Sequence, residues 1–343
     1  MRWVLLTDDH PPRAGGVAAF VDRVGAGLVR RGHTVAVFAR RVPGLRIAPG
    51  TALTPVSGPS FGRYAGRWLG LRATRAILEA DRVLATTWIC GTFAARLPTP
   101  LHVIAHGSDV TRPPLRPAAF GRVWAAAHGR HALSAFLAGV LRGRGIEAGI
   151  LAAPVDAAPQ PIRAERRGCY GLIARATPLK GGDRFVRLVA AAGVRGVVVG
   201  DGPELGAWRA LADRLGAPIT FTGALAPAQV AAVLRTLDLV CLLPRAAPDG
   251  SGAEGLGLVL IEAAAQGVPA VGCATGGVPE AVGPGLILDD PDDPGACAEA
   301  VRSWWRPDRG AEAWAWCRAS HGVDRGIDTL LEVGRRQVYD PAG

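Results

Sequence analysis

Short apolar runs alternate with amphipathic stretches along this chain, and the alternation constrains its fold more than any other feature. Such alternation is typical of parallel α/β units. A chain of 343 residues is long for one hydrophobic core and suits two domains. We therefore predict an α/β protein with strands at 3–7, 34–39, 82–86, 101–105, 131–135, 169–174, 196–200, 218–221, 238–243, 269–272 and 285–288.

The segment APVDAAPQPIR, residues 153–163, is rich in proline and alanine. Proline stiffens the chain, and no hydrophobic periodicity crosses this segment, so we predict a linker here. The linker separates an N-terminal domain, residues 1–157, from a C-terminal domain, residues 158–324.

The stretch EGLGLVLIEAAAQGVPAVGCATGGVPE carries two carboxylates, Glu254 and Glu262, with seven residues between them. Glycines leave the backbone bare where a helix begins, so the N–H groups of Leu256, Gly257 and Leu258 are predicted to meet an anion. On one helix the two acids share a face, about 12 Å apart. Carboxylates accept paired hydroxyl groups, so we expect Glu262 to hold a ribose and Glu254 a hexose.

A buried α/β helix explains the apolar residues of the same stretch without any ligand. It does not explain Glu262 among them, because a carboxylate is almost never fully buried without a partner. The ligand hypothesis therefore accounts for more of this stretch.

This stretch resembles the E-x7-E signature of the retaining glycosyltransferases of family 4. Three further landmarks follow the order of that family: a Gly15-Gly16 loop, AHGSD at 105–109, and LIARATPLKGGDRF (172–185) ahead of GDGPEL (200–205). The resemblance covers almost the whole chain. It implies the GT-B fold, with two Rossmann-like domains of doubly wound parallel sheet facing a central cleft.

The resemblance also assigns the domains. The N-terminal domain is expected to bind the acceptor, the C-terminal domain the nucleotide-sugar donor, and the last helix, 325–343, is expected to pack back on the N-terminal domain.

Two cations stand where the family places the pair that holds the donor diphosphate. Lys180 is the one lysine among 39 basic residues, and it follows Arg175 in the pattern R-x4-K-G. An ammonium suits a phosphate oxygen, and a guanidinium can bind the same diphosphate through two N–H groups. Asp201, near the donor nucleotide in the family, is a more distant candidate. Solvated loop cations are the alternative for both basic residues.

His106 follows the predicted strand 101–105, at the strand end where parallel sheets bind ligands. In similar enzymes the corresponding histidine lies beside the donor sugar, and its backbone helps to steady positive charge. The loop at Gly15 and Gly16 is expected to close over the diphosphate through its N–H groups. A structural histidine and a flexible turn are the alternatives.

A dehydrogenase also has Rossmann-like domains. The loop TDDHPPRAGGVAAF after the first strand is too long and proline-rich for the tight G-x-G-x-x-G turn. In GDGPEL, Leu205 stands where the third glycine belongs. Both loops argue against a bound dinucleotide.

Basic charge belongs to the N-terminal half. Residues 1–160 carry 20 arginines and 8 acids, a balance of +12, while 161–343 carry 19 basic and 21 acidic residues, a balance of −2. No helix-turn-helix, RNA-binding or zinc-finger pattern accompanies this charge, so a nucleic acid is not the expected partner. An anionic acceptor or membrane surface fits better.

Aromatic residues and arginines recur at helical spacing in FGRYAGRWLGLRATRAILEA, residues 61–80. A basic amphipathic helix of this kind can rest on an anionic membrane. Packing of its aromatic stripe on the N-terminal core is the alternative.

The sequence predicts a cytoplasmic protein, or one bound peripherally to the inner face of the membrane. Asp8 and Asp9 interrupt the first apolar run before a signal peptide forms, and no run reaches 18 apolar residues. Six scattered cysteines without C-x-x-C pairs are typical of reduced thiols.

Together these features predict a retaining, metal-independent glycosyltransferase that moves a hexose from a UDP- or GDP-sugar to an acceptor hydroxyl. Arg175, Lys180 and the helix-entry N–H groups are expected to stabilise the departing diphosphate, and no cofactor is expected. A noncatalytic nucleotide-sugar-binding protein and a GT-B nucleotide-sugar epimerase remain alternatives.

Overall fold

The computed structural model describes residues 1–10, 15–41, 44, 49–56, 71–161, 168–247 and 252–336. The chain forms two compact units: unit 1 contains Met1–Pro154 and the residues from Gly322 onward, and unit 2 contains Val155–His321. Each division lies three residues before the position expected from the sequence. The first and last residues of unit 2 are hydrogen-bonded: the Val155 N–H donates to the His321 carbonyl at 3.0 Å.

Each unit contains one parallel sheet within the described residues. In unit 1 the order is β3-β2-β1-β4-β5-β6-β7, with β1 (Arg2–Thr7), β2 (Thr34–Arg40), β3 (Thr51–Val56), β4 (Arg82–Ala85), β5 (Leu101–Ala105), β6 (Ala127–Ala132) and β7 (Gly149–Ile150). In unit 2 it is β10-β9-β8-β11-β12-β13, with β8 (Cys169–Ile173), β9 (Arg195–Val199), β10 (Ile219–Gly223), β11 (Leu239–Leu242), β12 (Ala270–Cys273) and β13 (Leu286–Leu288). Both sheets are doubly wound, as predicted.

Helices connect these strands. The described α-helices are α1 (Gly16–Arg30), α2 (Thr74–Leu78), α3 (Trp88–Gly91), α4 (Ser108–Thr111), α5 (Pro117–Ala126), α6 (Ala135–Arg142), α7 (Gly182–Ala192), α8 (Leu205–Leu215), α9 (Pro227–Leu234), α10 (Leu258–Ala265), α11 (Val278–Val282), α12 (Pro294–Trp304), α13 (Arg309–His321) and α14 (Val323–Arg336). Short 3-10 turns lie at Ala94–Arg96 and Pro178–Lys180. None of the helices in the described ranges is long and apolar enough to cross a membrane.

The predicted strand at 131–135 is wrong in its bounds. β6 ends at Ala132, and Ser134 caps α6 by accepting a hydrogen bond from the Leu137 N–H at 3.1 Å. Two strands were not predicted from the sequence. Strand β7 has only two residues, and β3 is a half-exposed edge strand that contains Pro55.

Helix α14 packs against α1 in unit 1. A Cβ atom on Gly27 would lie 2.7 Å from Ile327 Cγ1 and 2.8 Å from Val323 Cγ1, so the small residue permits close approach. Arg31 also pairs with Asp328 at 2.7 Å. Residues 337–343 and residues 61–70 of the predicted basic helix lie outside the described ranges.

All six cysteines are free and buried. Burial raises the pKa of the Cys90 thiol well above its ordinary value. A buried thiol of this kind is a core residue with little nucleophilic character.

Two stacked histidines lie inside unit 1, on the neighbouring strands β5 and β6. His102 Nδ1 and His131 Nε2 are 3.1 Å apart, and the rings are nearly parallel. Gly129 makes room for them, because a Cβ there would lie 2.2 Å from His102 Nδ1. Burial lowers the pKa of His102 to about 3 and that of His131 to about 4, so both are neutral at pH 7.

We predict that this pair makes stability fall in acid. In the unfolded chain both histidines become protonated near their ordinary pKa of 6.5. In the folded chain they stay neutral until the pH falls to about 4. Between pH 6.5 and about 4.5, the free energy of unfolding should therefore fall by roughly 2 kcal/mol for each histidine. Urea unfolding at both pH values measures this decrease. The free energy of unfolding of the double variant His102→Gln/His131→Gln should decrease less between the same pH values. An identical acid loss in both chains would contradict this assignment.

Candidate functional site

The strand order of unit 2 reverses between β8 and β11, so the loops after these strands diverge at the carboxyl edge of the sheet. In open α/β sheets this is the point where ligands bind. Lys180 lies in the loop after β8 and Glu254 in the loop after β11. The structure brings them together: Lys180 Nζ donates to Glu254 Oε2 in an ion pair whose side chains are 29% and 14% exposed.

Gly181 fixes the position of the Lys180 loop. Its φ of +64° lies in the left-handed region, and a Cβ there would lie 1.9 Å from the Leu243 carbonyl oxygen. The Arg245 N–H also donates to the Leu179 carbonyl at 3.0 Å. The turn that carries Lys180 is therefore held against the chain leaving β11.

Gly276 and Gly277 fix the position of Glu254. A Cβ on Gly276 would lie 2.1 Å from the Glu254 carbonyl oxygen, and one on Gly277 would lie 2.2 Å from that of Gly255. The Gly277 N–H also donates to the Glu254 carbonyl at 2.9 Å. These glycines had no predicted role. Their signal was two adjacent glycines, separated by two residues from the end of an apolar strand.

Arg175 lies on a segment held by a second pair of glycines. A Cβ on Gly200 would lie 1.9 Å from the Ala174 carbonyl oxygen, and one on Gly202 would lie 2.3 Å from that of Ala176. These glycines therefore serve a close backbone contact, which explains them without a dinucleotide. The Arg175 side chain is exposed and makes no hydrogen bond or ion pair with any residue described.

Asp201 has a local role in the structure. Its exposed carboxylate accepts a hydrogen bond from the Gly202 N–H at 2.7 Å, and its carbonyl accepts one from the Ala176 N–H at 2.9 Å. Among the described contacts, none joins its side chain to Lys180 or Glu254. The turn therefore shapes the Arg175 segment through its backbone.

The expected arrangement of both acids on one helix is wrong. Helix α10 begins at Leu258, because Gly257 has a φ of +89° in the left-handed region. Glu254 thus lies in the loop before the helix, and Glu262 lies just beyond its first turn rather than two turns inside. The separation expected from helical rise does not apply to them.

The helix entry nevertheless presents backbone donors. Within the described part of the chain, the N–H groups of Leu256, Gly257 and Leu258 donate to no acceptor. They lie at the positive end of the α10 dipole, where an anion is stabilised. The Glu262 side chain is half-buried, while Leu260 beside it is fully buried.

A charge network that the sequence did not predict ties the first turn of α7 to the loops after β11 and β13. Arg184 binds Asp292 through two contacts of 2.8 and 2.5 Å, and Arg245 binds Asp183 through two contacts of 2.6 and 2.9 Å. Arg245 also reaches Asp292 at 3.0 Å. The hydrogen bond from Arg184 lowers the pKa of Asp292. These arginines are committed to carboxylates, in contrast to Arg175.

In unit 1, His106 begins the turn after β5. Its own N–H and that of Gly107 both donate to Asp109 Oδ1, at 3.1 and 2.7 Å. The imidazole lies edge-on to Phe20, with ring centroids 4.9 Å apart.

Burial lowers the pKa of His106 to about 3, so its ring is uncharged at neutral pH. Burial raises the pKa of Asp109 to about 6. Sequence analysis gave Asp109 no role, although it holds the backbone of His106.

Gly15 and Gly16 are exposed at the start of α1. Gly15 has φ and ψ of 156°, a conformation that other residues rarely adopt. Residues 11–14 before it lie outside the described ranges, so the expected contact with a diphosphate stays a prediction. No cluster of three His, Cys, Asp or Glu side chains that could bind a metal occurs among the residues described.

Two family models match the chain in sequence order. The model for Glycosyltransferase Family 4 matches residues 14–166, and the model for Glycosyl transferases group 1 matches residues 171–306. These two matches cover most of both units.

Curated relatives extend over most of the chain as well. The GDP-mannose-dependent alpha-(1-6)-phosphatidylinositol monomannoside mannosyltransferase of Mycobacterium tuberculosis is 29% identical, with 84% of this chain and 85% of the relative covered. The D-inositol 3-phosphate glycosyltransferase of Mycobacterium marinum is 27% identical, with 95% and 82% covered.

The solved structure of Anabaena HepE in complex with UDP-glucose has the same fold. Its TM-score is 0.74 at 17% identity, with 98% of this chain and all of that chain covered. The two family models, the relatives and the two doubly wound sheets agree: the chain belongs to glycosyltransferase family 4 and has the GT-B fold.

Proposed function

We propose that the chain is a retaining glycosyltransferase that moves a hexose from a nucleoside-diphosphate sugar to an acceptor hydroxyl without a metal ion. The observation that carries this proposal is the ion pair of Lys180 and Glu254 at the strand-order reversal of unit 2. GDP-mannose is the first donor to test, because the M. tuberculosis relative depends on it. UDP-glucose is the second, because HepE binds it.

Other groups on the segments that follow β8 and β11 suit a departing diphosphate. An ammonium has three N–H donors, so Lys180 keeps two for phosphate oxygens while the third binds Glu254. Arg175, exposed and without a partner among the described residues, adds a planar pair of donors. The N–H groups ahead of α10 supply fixed dipoles. Preorganised donors of this kind stabilise developing negative charge, the task a divalent cation performs elsewhere.

The two acids then bind the sugars of the donor. Glu254 Oε1 lies outside the ion pair and accepts a hexose hydroxyl, while Glu262 accepts the ribose hydroxyls. No carboxylate nucleophile is assigned: retention in this family is attributed to attack from the leaving-group side, with a donor phosphate oxygen taking the acceptor proton. The neutral ring of His106 fits a backbone role, which the family resemblance implies.

An inositol-containing acceptor is the leading candidate. One relative is named for phosphatidylinositol monomannoside and the other for D-inositol 3-phosphate, so both names include an inositol bearing a phosphate. The arginine excess of residues 1–160 suits an anionic acceptor.

The test is turnover of GDP-mannose and UDP-glucose with and without these acceptors. We expect acceptor-dependent release of nucleoside diphosphate, no effect of EDTA, and a product that keeps the anomeric configuration of the donor, as read by NMR. Conversion of the donor sugar without transfer would favour an epimerase. Donor binding without any release would favour a noncatalytic binding protein.

Loss of either cation should impair turnover. Lys180→Ala and Arg175→Ala should each lower kcat by roughly 10²–10³-fold, as removal of one preorganised donor does elsewhere. Arg187→Ala, which removes an exposed arginine of α7, is the matched control and should keep full activity. Full activity in the Lys180 or Arg175 variant would remove that residue from the mechanism.

Glu262→Gln should weaken donor binding more than folding. The change keeps the size of the side chain but removes its charge, so hydroxyl hydrogen bonds lose strength and Kd should rise by about tenfold. Calorimetric titration with the nucleoside diphosphate measures this, with Asp213→Asn, at an exposed position of α8, as control. Equal Kd values for the variant and the control would refute the ribose assignment.

A further inference from the structure

A cavity of about 510 Å³ runs along one face of helix α5 in unit 1. Its apolar wall includes Pro117, Phe120 and Trp124, which recur at helical spacing, and its basic wall includes Arg130 and Arg144. None of these residues belongs to the donor site described above.

Both cavity arginines are held by backbone carbonyls. Arg130 Nη2 donates to the Ala125 carbonyl at 3.4 Å, and Arg144 Nη2 donates to the Arg112 carbonyl at 3.2 Å. The Arg144 guanidinium also lies 5.4 Å from the centre of the Phe120 ring. These contacts place two positive charges in the wall before any ligand arrives.

Other donors of this wall have no acceptor among the described residues. Arg130 Nε, Arg144 Nη1 and the indole Nε1 of Trp124 are buried and unpartnered as far as the structure describes the chain, and Trp124 is 1% exposed. Neither arginine forms an ion pair with a described carboxylate. Partly buried charges without a counter-charge are costly, so the wall favours an anion that could reach these donors by small side-chain shifts.

The surroundings point to the kind of anion. Residues 111–150 contain six arginines and one acid, Glu147, which already pairs with Arg142 at 3.3 Å. At the rim, Leu115 is 96% exposed between two prolines that line the cavity. Basic side chains beside protruding apolar ones are typical of surfaces that bind the interface of an anionic membrane.

We propose that this cavity binds the phosphate of an anionic phospholipid headgroup, with Leu115 reaching the acyl boundary. The site would hold unit 1 on a bilayer whichever acceptor the enzyme uses. It therefore goes beyond the proposed function and can fail independently of it.

Vesicle co-sedimentation tests the proposal with phosphatidylcholine containing about one-third phosphatidylinositol, since anionic lipid attracts basic side chains. Arg130→Gln/Arg144→Gln should lower the partition coefficient by roughly tenfold or more, as expected for two arginines near such a surface. Arg187→Gln/Arg214→Gln removes equal charge from exposed positions of unit 2 and should bind like the wild type. The donor Kd of all these chains should stay unchanged.

Leu115→Asp provides a second test that does not depend on the buried wall, because this side chain is almost fully exposed. It should also weaken vesicle binding, without changing the thermal midpoint. The proposal is overturned if the wild type ignores the vesicles, if both double variants lose binding equally, or if Leu115→Asp binds normally. Binding of inorganic phosphate without binding of vesicles would indicate a soluble anion and would also overturn the lipid assignment.

Discussion

Close contact between two backbone segments at the carboxyl edge of unit 2 is the constraint on which the candidate donor site depends. The turn at Gly276 and Gly277 lies so close to the carbonyls of Glu254 and Gly255 that no side chain fits between them. This contact fixes the peptide of Glu254, and through it the carboxylate that Lys180 meets. Gly181 performs the same task on the Lys180 side. The ion pair is thus positioned by glycines rather than by its own attraction.

The ion pair and the neighbouring charge network serve different purposes. Arg184 and Arg245 share Asp292; Arg184 also donates to the Pro244 carbonyl and Arg245 to Asp183, which ties the start of α7 to the loops after β11 and β13. Lys180 keeps free N–H donors, and Arg175 has no described partner. A partly buried ion pair contributes little to stability, so the Lys180–Glu254 pair at the strand-order reversal favours a role toward a ligand. The arginine–aspartate network supports these segments, and Lys180 and Arg175 have donors available to a diphosphate.

Much of the fold could be predicted because strand alternation is a local property. The strands of both sheets were predicted except β3 and β7, and β6 was misplaced because an alanine-rich stretch with a glycine lacks a clear period. The pairing of Lys180 with Glu254 could not be predicted from residues, because 74 positions separate them and only loop closure brings them together. The helix start was missed because a left-handed Gly257 cannot be distinguished from a helical glycine in sequence.

The same limits apply to unit 1. The role of Asp109 was within reach, because a carboxylate three residues after His106 can accept N–H groups of the turn between them. The cavity beside α5 could not be predicted in this way. Arg130 and Arg144 lie 14 positions apart in different parts of the fold, and they line the same cavity only because of how α5 packs.

The measurement that tests the account most directly compares Gly277→Ala with Gly206→Ala in titrations with GDP-mannose and UDP-glucose. A methyl group on Gly277 meets the Gly255 carbonyl oxygen at 2.2 Å, whereas one on Gly206 meets nothing within 4 Å. If backbone contact positions Glu254 and Lys180, Gly277→Ala should weaken donor binding by about tenfold or more, and Gly206→Ala should bind like the wild type. Donor binding of wild-type strength by folded Gly277→Ala would contradict the account.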